Sequence, residues 1–386
     1  MAAMEKNNKN LNVPNLRFPE FSGEWKKYLL KSITNIYDGT HQTPKYTKSG
    51  VPFMSVEDVT QKSSKEQKYI SEQDFQNDFR NPPQKGDILM TRIGNIGTPC
   101  IVPTNEALGY YVSLALIRPL EKLQSCFLNY AIQSNSFKRE LYKRTIHVAF
   151  PQKINKEDIG KCKLDVPSIE EQSRIGDLLS LIDERITTQK KIIEDLKKLK
   201  DAISFILFTS ETCDKWELSN LATIVMGQSP SSQCYNTDND GLPLIQGNLD
   251  ITKGKLTPRL YSSEMTKKCH TGDVILTVRA PVGEVAIADF DACIGRGVCA
   301  IRPFNNNYSV LIYQFLQHYK PKWISLEQGS TFTSVSRNDI MSIKIGVPSI
   351  QAIEILNILD DKISIEDVIL NNLNSQKNYL LAQMFI

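Results

Sequence analysis

The 386-residue sequence predicts an α+β chain in which two pseudo-repeated mixed α/β domains are separated by two long helices that pair as an antiparallel coiled coil. Three observations lead there. The stretch from Trp25 to about Phe208 is written a second time from Trp216 to about Phe385. Each copy opens with short β-like runs broken by Gly, Pro, Asn and Asp, and each closes with a long heptad stripe.

The repeat is read from matching punctuation. Trp25 matches Trp216, and Gly50-Val51-Pro52-Phe53 matches Gly241-Leu242-Pro243-Leu244 at the same offset of 191. Gly86-Asp87-Ile88-Leu89-Met90-Thr91 then matches Gly272-Asp273-Val274-Ile275-Leu276-Thr277, Ile117-Arg118-Pro119 matches Ile301-Arg302-Pro303, and Val166-Pro167-Ser168-Ile169 matches Val347-Pro348-Ser349-Ile350. Agreement in this order makes a pseudo-twofold molecule rather than a solenoid, since only two units are present.

Taken along the chain, residues 1–20 read as a flexible tail, polar at first and then broken by Pro14 and Pro19. Residues 21–166 form the first domain, with strands expected at Ile88 to Thr91 and Tyr110 to Ile117 and a helical patch at Phe127 to Tyr142. Residues 167–209 form the first spacer helix, with Ser168 as cap and Glu171 at capping-box spacing. Behind that cap Ile175, Leu178, Ile182, Ile186, Ile193, Leu196, Ile203 and Leu207 recur at threes, fours and sevens, with lysines between them. About 38 residues at ~1.5 Å each give a rod of about 57 Å. Residues 210–347 form the second domain. Residues 348–386 form the second helix, where Leu356, Leu359, Ile363, Leu370, Leu373, Leu380 and Met384 keep the heptad step. From Pro167 to Asp183 there are 16 steps and from Pro348 to Asp360 only 12, a loss of about one turn that preserves the apolar face. The alternatives are that each rod packs on its own domain or that one of them mediates homodimerisation.

The bulk numbers narrow the class. A hydrophobic fraction of 41% is ordinary for a soluble chain, and no apolar run approaches the ~20 residues of a membrane span. Met1 to Asn12 lacks the apolar segment of a secretion signal, so a cytoplasmic protein is expected. Eight cysteines include no Cys-x-x-Cys pair and read as reduced thiols. A net charge of +3 neither requires nor excludes a nucleic-acid partner.

Catalytic constellations are missing. The sequence has no Gly-x-x-x-x-Gly-Lys-Ser/Thr loop, and its four histidines form no His-x-x-x-His or Cys/His set, so neither catalytic residues nor a metal site is expected. Gly295-Arg296-Gly297-Val298-Cys299-Ala300 reads as strand rather than a dinucleotide turn. Asn81-Pro82-Pro83-Gln84 resembles an amino-methyltransferase motif, but Gln84 cannot stack on a flipped base, and a turn is the better reading.

What remains is chemistry suited to reaching into a groove. Asp38-Gly39-Thr40-His41 with Lys45 in the first copy, and Gln228, Ser229 and Ser231 in the second, are polar loops able to bond base edges or phosphates, or to be plain surface turns. Arg92 with Asn95, and Arg279, follow a strand on tight turns, suited to a guanine edge or phosphate and equally to a structural ion pair. A third set, Lys143, Arg144 and His147 with Lys153, has a counterpart in Lys320, Lys322, Trp323 and Arg337 of the other half, either a DNA surface or a solvated basic face.

The combination of Asp38-Gly39-Thr40-His41 with Thr43-Pro44-Lys45-Tyr46, Gly86 through Gly97, and the twice-used Val-Pro-Ser-Ile before a long helix resembles the specificity subunit of type I restriction-modification enzymes, over essentially Trp25 to Ile386. That resemblance implies a non-catalytic chain whose two target-recognition domains each read one half of a split duplex DNA site. The paired helices, carrying Ile182, Ile186, Ile193, Leu196, Leu359, Ile363, Leu370 and Leu373, would dock two methyltransferase (modification) subunits, with restriction/translocase subunits joining them. S-adenosylmethionine would reside on the modification subunits, and ATP with magnesium on the restriction subunits. A rod of ~50–57 Å spans about one and a half DNA turns, a plausible half-site spacing. The rival readings are a coiled-coil scaffold with two peptide- or protein-binding domains, and a single-chain DNA-modifying or DNA-cleaving enzyme.

Overall fold

The computed structural model describes residues 12–60, 67–210, 214–329 and 334–386. Most of the expected N-terminal tail, through residue 11, and Cys213 lie outside the described residues. The chain divides into two units, one of residues 1–189 with 369–386 and one of residues 190–368.

In the first unit a four-stranded antiparallel sheet runs in the order Thr34–Asp38, Leu114–Pro119, Ile88–Thr91, Pro99–Ile101. A smaller sheet joins Val51–Met54 antiparallel to Lys68–Ile70 and parallel to Gly109–Tyr110. The central strands are apolar on both faces, from Ile88 to Met90 and from Leu114 to Ile117, because both faces are covered. Ile88, Met90, Ala115 and Ile117 point into one core with the helices, while Leu89, Leu114 and Leu116 point into another with Phe53 and Tyr110. The patch expected to be one helix is two, Ser125–Gln133 and Asn135–Tyr142. Ser134 separates them in an extended conformation and accepts the Phe137 N–H at 3.2 Å, so a cap residue inside an apolar pattern ends one helix and starts the next.

The second unit repeats this plan with Ala222–Met226, Val298–Pro303, Val274–Thr277 and Val285–Ile287. Val274, Leu276, Cys299 and Ile301 face the helix-side core, and Ile275, Val298 and Ala300 the opposite one. The two motifs that disclosed the repeat prove to be partners. Arg118 donates from Nε at 2.9 Å and Nη2 at 2.7 Å to the buried Asp87, and Arg302 grips Asp273 in the same fork. The hydrogen-bonded carboxylate raises the pKa of each arginine. The matched tryptophans differ: Trp25 is 3% exposed and donates to Glu171 at 3.2 Å, whereas Trp216 is 41% exposed.

The long helices span Ile169–Thr209 and Ile350–Gln383. Ser168 and Ser349 each accept an N–H three residues on, at 3.3 Å. Glu171 does not complete the capping box; its carboxylate takes Arg17 instead, twice at 2.8 Å. Within each unit the helices run antiparallel, as the heptads predict. The first unit packs Ile182 and Ile186 with Leu373, and sets Leu381, Met384 and Phe385 beside Trp25 and Phe127 near the start of the first helix. The second packs Phe208, near the end of the first helix, with Ile353 and Leu356 at the start of the second. Among the described residues no helix is long and apolar enough to cross a membrane, and no group of three potential metal ligands occurs.

Candidate nucleic-acid interface

Topology brings the separate sequence motifs of each unit to one sheet edge. In the first unit Asp38 pairs with Ala115 and Thr91 with Leu114, so the strands Thr34–Asp38 and Ile88–Thr91 end where Leu114–Pro119 begins. The loops carrying Thr40, His41 and Lys45, and Arg92 and Asn95, leave from that edge. The segment 146–153 is fastened beside them: Ile93 and Ile146 both bridge to Lys153, and Gly94 N–H donates to the Gln152 carbonyl at 2.8 Å. This places His147 there, its ring tilted against Tyr142 at 4.4 Å between centroids, with Val148 and Phe150 fully exposed.

The side chains within these loops divide into free and occupied groups. His41, Lys45 and Asn95 are exposed. Thr40 is buried, its hydroxyl donating to Asp78 at 3.1 Å, so it fastens the loop to the helix Glu72–Asp78. The Arg92 side chain is only 10% exposed and closes an ion pair on Asp38, which Lys156 also approaches at 3.5 Å. Lys143 and Arg144 both rest on Glu140, at 3.2 and 2.9 Å.

In the second unit Ala222–Met226 and Val274–Thr277 end, and Val298–Pro303 begins, at the equivalent edge. Gln228, Ser231 and Arg279 are exposed there, and Ser229 accepts the Arg296 N–H at 3.1 Å. Lys320 reaches Glu284 at 2.6 Å, Lys322 lies over the Tyr319 ring at 4.9 Å, and Arg337 is exposed at the start of the short helix Arg337–Met341. Cys269 and His270 diverge: burial pushes the Cys269 thiol up to about 11, whereas exposed His270 sits 3.3 Å from Asp291.

Two expectations are corrected. Arg92 and Arg279 are not counterparts. Arg92 N–H donates to Ser113 as Val278 N–H donates to Gly297, both at 2.9 Å, so Arg92 matches buried Val278 and Arg279 matches Ile93. A one-residue offset in extended chain turns a side chain to the other face, which is why one arginine is inside and the other outside. Gly295-Arg296-Gly297 is a turn between Ala292–Ile294 and Val298–Pro303, not strand. A Cβ on Gly227 would lie 2.1 Å from the Gly295 carbonyl, and one on Gly297 would lie 2.1 Å from the Gln246 carbonyl. The turn is therefore packed against the Gln228 loop and holds Arg296 exposed at the edge. Sequence reasoning missed Arg296, although two glycines flanking an arginine after an apolar run were the available signal.

The helix residues expected to dock partners are largely turned inward. Ile182, Ile186, Ile193 and Leu373 are buried, and Leu196, Leu359, Ile363 and Leu370 are half-buried. The apolar side chains left exposed are others, among them Leu181, Leu199, Ile355, Ile358 and Ile365.

Comparison with known proteins gives one consistent picture. The family model described as type I restriction modification DNA specificity domain matches twice, over residues 22–198 and 211–375. A putative type I restriction enzyme MjaX specificity subunit from Methanocaldococcus jannaschii is 32% identical over 295 residues, 69% of this chain and 68% of that protein. The MjaVIII specificity subunit of the same organism is 26% identical over 201 residues, 50% of this chain and 47% of that one. In fold, the S subunit of a type I restriction-modification system from M. genitalium superposes with a TM-score of 0.66 at 17% identity, covering 97% of this chain and 99% of that chain. A chain from a structure concerned with complex assembly and conformational transition of the type I R-M system gives 0.58 at 20% identity, covering 92% and 96%.

Proposed function

Because the chain belongs to the type I restriction-modification DNA specificity family, we propose that it reads an asymmetric, two-part duplex DNA site, one half through the loop-bearing sheet edge of each unit. It is the DNA-specificity subunit of such a system, and that role is recognition rather than catalysis. The observation that carries the two-part reading is the repeated edge with unlike side chains. Both units offer loops from the same three strand ends, but His41, Lys45 and Asn95 stand at one edge and Gln228, Ser231, Arg279 and Arg296 at the other. Two readers of one fold and different chemistry select different half-sites.

Two methyltransferase subunits dock on the exposed apolar positions of the paired helices, and restriction/translocase subunits complete the assembly in the cytoplasm. S-adenosylmethionine is then held by the methyltransferase subunits, and ATP with magnesium by the restriction subunits. The test is a salt-dependent gel shift of the chain assembled with its modification subunit, using duplexes taken from methylated sites in the host chromosome. Selective retardation that is lost when either half-site is scrambled supports the reading. Binding without sequence preference overturns it and favours the scaffold alternative.

A further inference from the structure

In the second unit the strands Val274–Thr277 and Val298–Pro303 pair antiparallel, ending at Thr277 opposite Val298. The pairing continues one step further through Val278 N–H and the Gly297 carbonyl at 2.9 Å. There the ladder ends: the Val278 carbonyl accepts the Val335 N–H, Arg279 bridges to Ser334, and Gly295-Arg296-Gly297 turns, so Arg279 and Arg296 leave the two paired strands at one sheet edge. Both arginines are exposed, and among the described residues neither has an ion-pair partner. Arg92, Arg118, Arg259 and Arg302 are neutralised by Asp38, Asp87, Asp250 and Asp273, and what distinguishes Arg279 and Arg296 from other exposed arginines such as Arg80 and Arg185 is their place at the loop-bearing sheet edge.

The backbone at both positions is also firmly held. The Arg296 N–H is held by Ser229 at 3.1 Å, a Cβ on Gly297 would collide with the Gln246 carbonyl, and a Cβ on Gly227 would collide with the Gly295 carbonyl. Arg279 bridges to Ser334 at the margin of the same edge. At the equivalent positions of the first unit stand Ile93 and Val112, both half-buried and uncharged. A pair of unneutralised arginines on a rigid turn, present in only one of two repeated domains, matches a ligand that brings negative charge and paired acceptors to that domain alone.

We propose that Arg279 and Arg296 grip the DNA half-site read by the second unit, with Arg296 reading a guanine edge through its two-pronged donor set and Arg279 lying on the adjacent phosphate. This rests on the DNA-reading function proposed above. The first unit, with Ile93 and Val112 in their place, reads its half-site without an arginine at that position.

The experiment measures binding of the chain, assembled with its methyltransferase subunits, to three duplexes across a salt series: the chromosomally methylated site, and versions with each half-site scrambled in turn. Arg296→Ala should weaken binding roughly 5- to 150-fold on duplexes that keep the second unit's half-site and leave the duplex lacking it nearly unaffected. Arg296→Lys keeps the charge without the fork and should fail to restore discrimination. Arg279→Ala should reduce the slope of log affinity against log salt by about one on every duplex. The melting temperature of each variant should stay close to that of the parent, because both side chains are exposed. Equal weakening by Arg296→Ala on all three duplexes would overturn base reading, and unchanged binding by both alanine variants would overturn the grip. If the parent assembly does not distinguish the duplexes, the function proposed above fails with it, an outcome distinct from failure of the variants alone.

Discussion

Asp183 on the first long helix accepts Lys377 of the second at 2.7 Å, and the second unit makes the same bond with the helices exchanged, Lys200 to Asp360 at 2.6 Å. Tyr130 adds a donor to Asp183 at 2.9 Å, as Gln314 does to Asp360 at 2.7 Å. Each domain therefore inspects the helix pair through one polar side chain on a carboxylate that is already bonded across the seam. Lys377→Ala should destabilise the first unit by about 1–3 kcal/mol, the range for hydrogen bonds to charged groups. Lys200→Ala should act similarly on the second, and each should leave the other unit's unfolding transition in place. Denaturant unfolding followed by hydrogen exchange resolves the two, and a uniform shift of both would sink the assignment.

The seam itself should respond unequally. Ile186 is buried against Ile182 and Leu373, whereas its sequence counterpart Ile363 is half-buried. Ile186→Ala should cost about 2–4 kcal/mol and Ile363→Ala clearly less. Equal losses in chemical denaturation would contradict the observed packing.

Exposed Ile358 offers the complementary test. Ile358→Lys should fold normally and weaken capture of the methyltransferase subunit in size-exclusion chromatography, since a charge would enter an apolar contact. Undiminished assembly would place the docking surface elsewhere.

Arg92 belongs with the fold rather than the reading surface. Arg92→Ala strands Asp38 with only Lys156 at 3.5 Å, so a loss of stability of about 1–3 kcal/mol is expected without a change in which half-site sequence is chosen. A shifted methylation pattern at unchanged melting temperature would return Arg92 to the DNA.

Acid should weaken the second unit through His318. Its ring lies against Phe205 and Phe208, and burial, with Lys322 adding repulsion against a smaller opposing effect of Asp201, lowers its pKa below the ordinary imidazole value of about 6.5. A base with a depressed folded pKa takes its proton more readily when unfolded, so this contribution to stability is intact above about 6.5 and is lost as pH falls below it. His318→Phe should flatten that fall in a pH series of unfolding midpoints. An identical slope in parent and variant would assign the acid sensitivity to other groups.

The repeat, the heptad helices and the strand Ile88–Thr91 were legible because each is a local pattern: ordered motifs, a period near 3.5, and an apolar run bounded by turn residues. The functional edge was legible only in part. Which face Arg92 and Arg279 occupy depends on a one-residue offset after the strands end, and the pairing that fixes it lies across the sheet, with Ser113 and Gly297. Arg296 was hidden in a segment that reads as continuous strand, because the close approach of Gly227 and Gln246 is a tertiary fact. A heptad stripe marks a buried face without naming the partner that buries it, and here Ile182, Ile186 and Leu373 bury one another.

Leu381, Met384 and Phe385 complete the core around Trp25 and Phe127. The first unit is thus discontinuous in sequence, drawing part of its core from residues 369–386, whereas the second unit, residues 190–368, is continuous. A break in the second helix before Leu381 would therefore strip Trp25 and Phe127 of their cover while leaving the core of the other unit untouched.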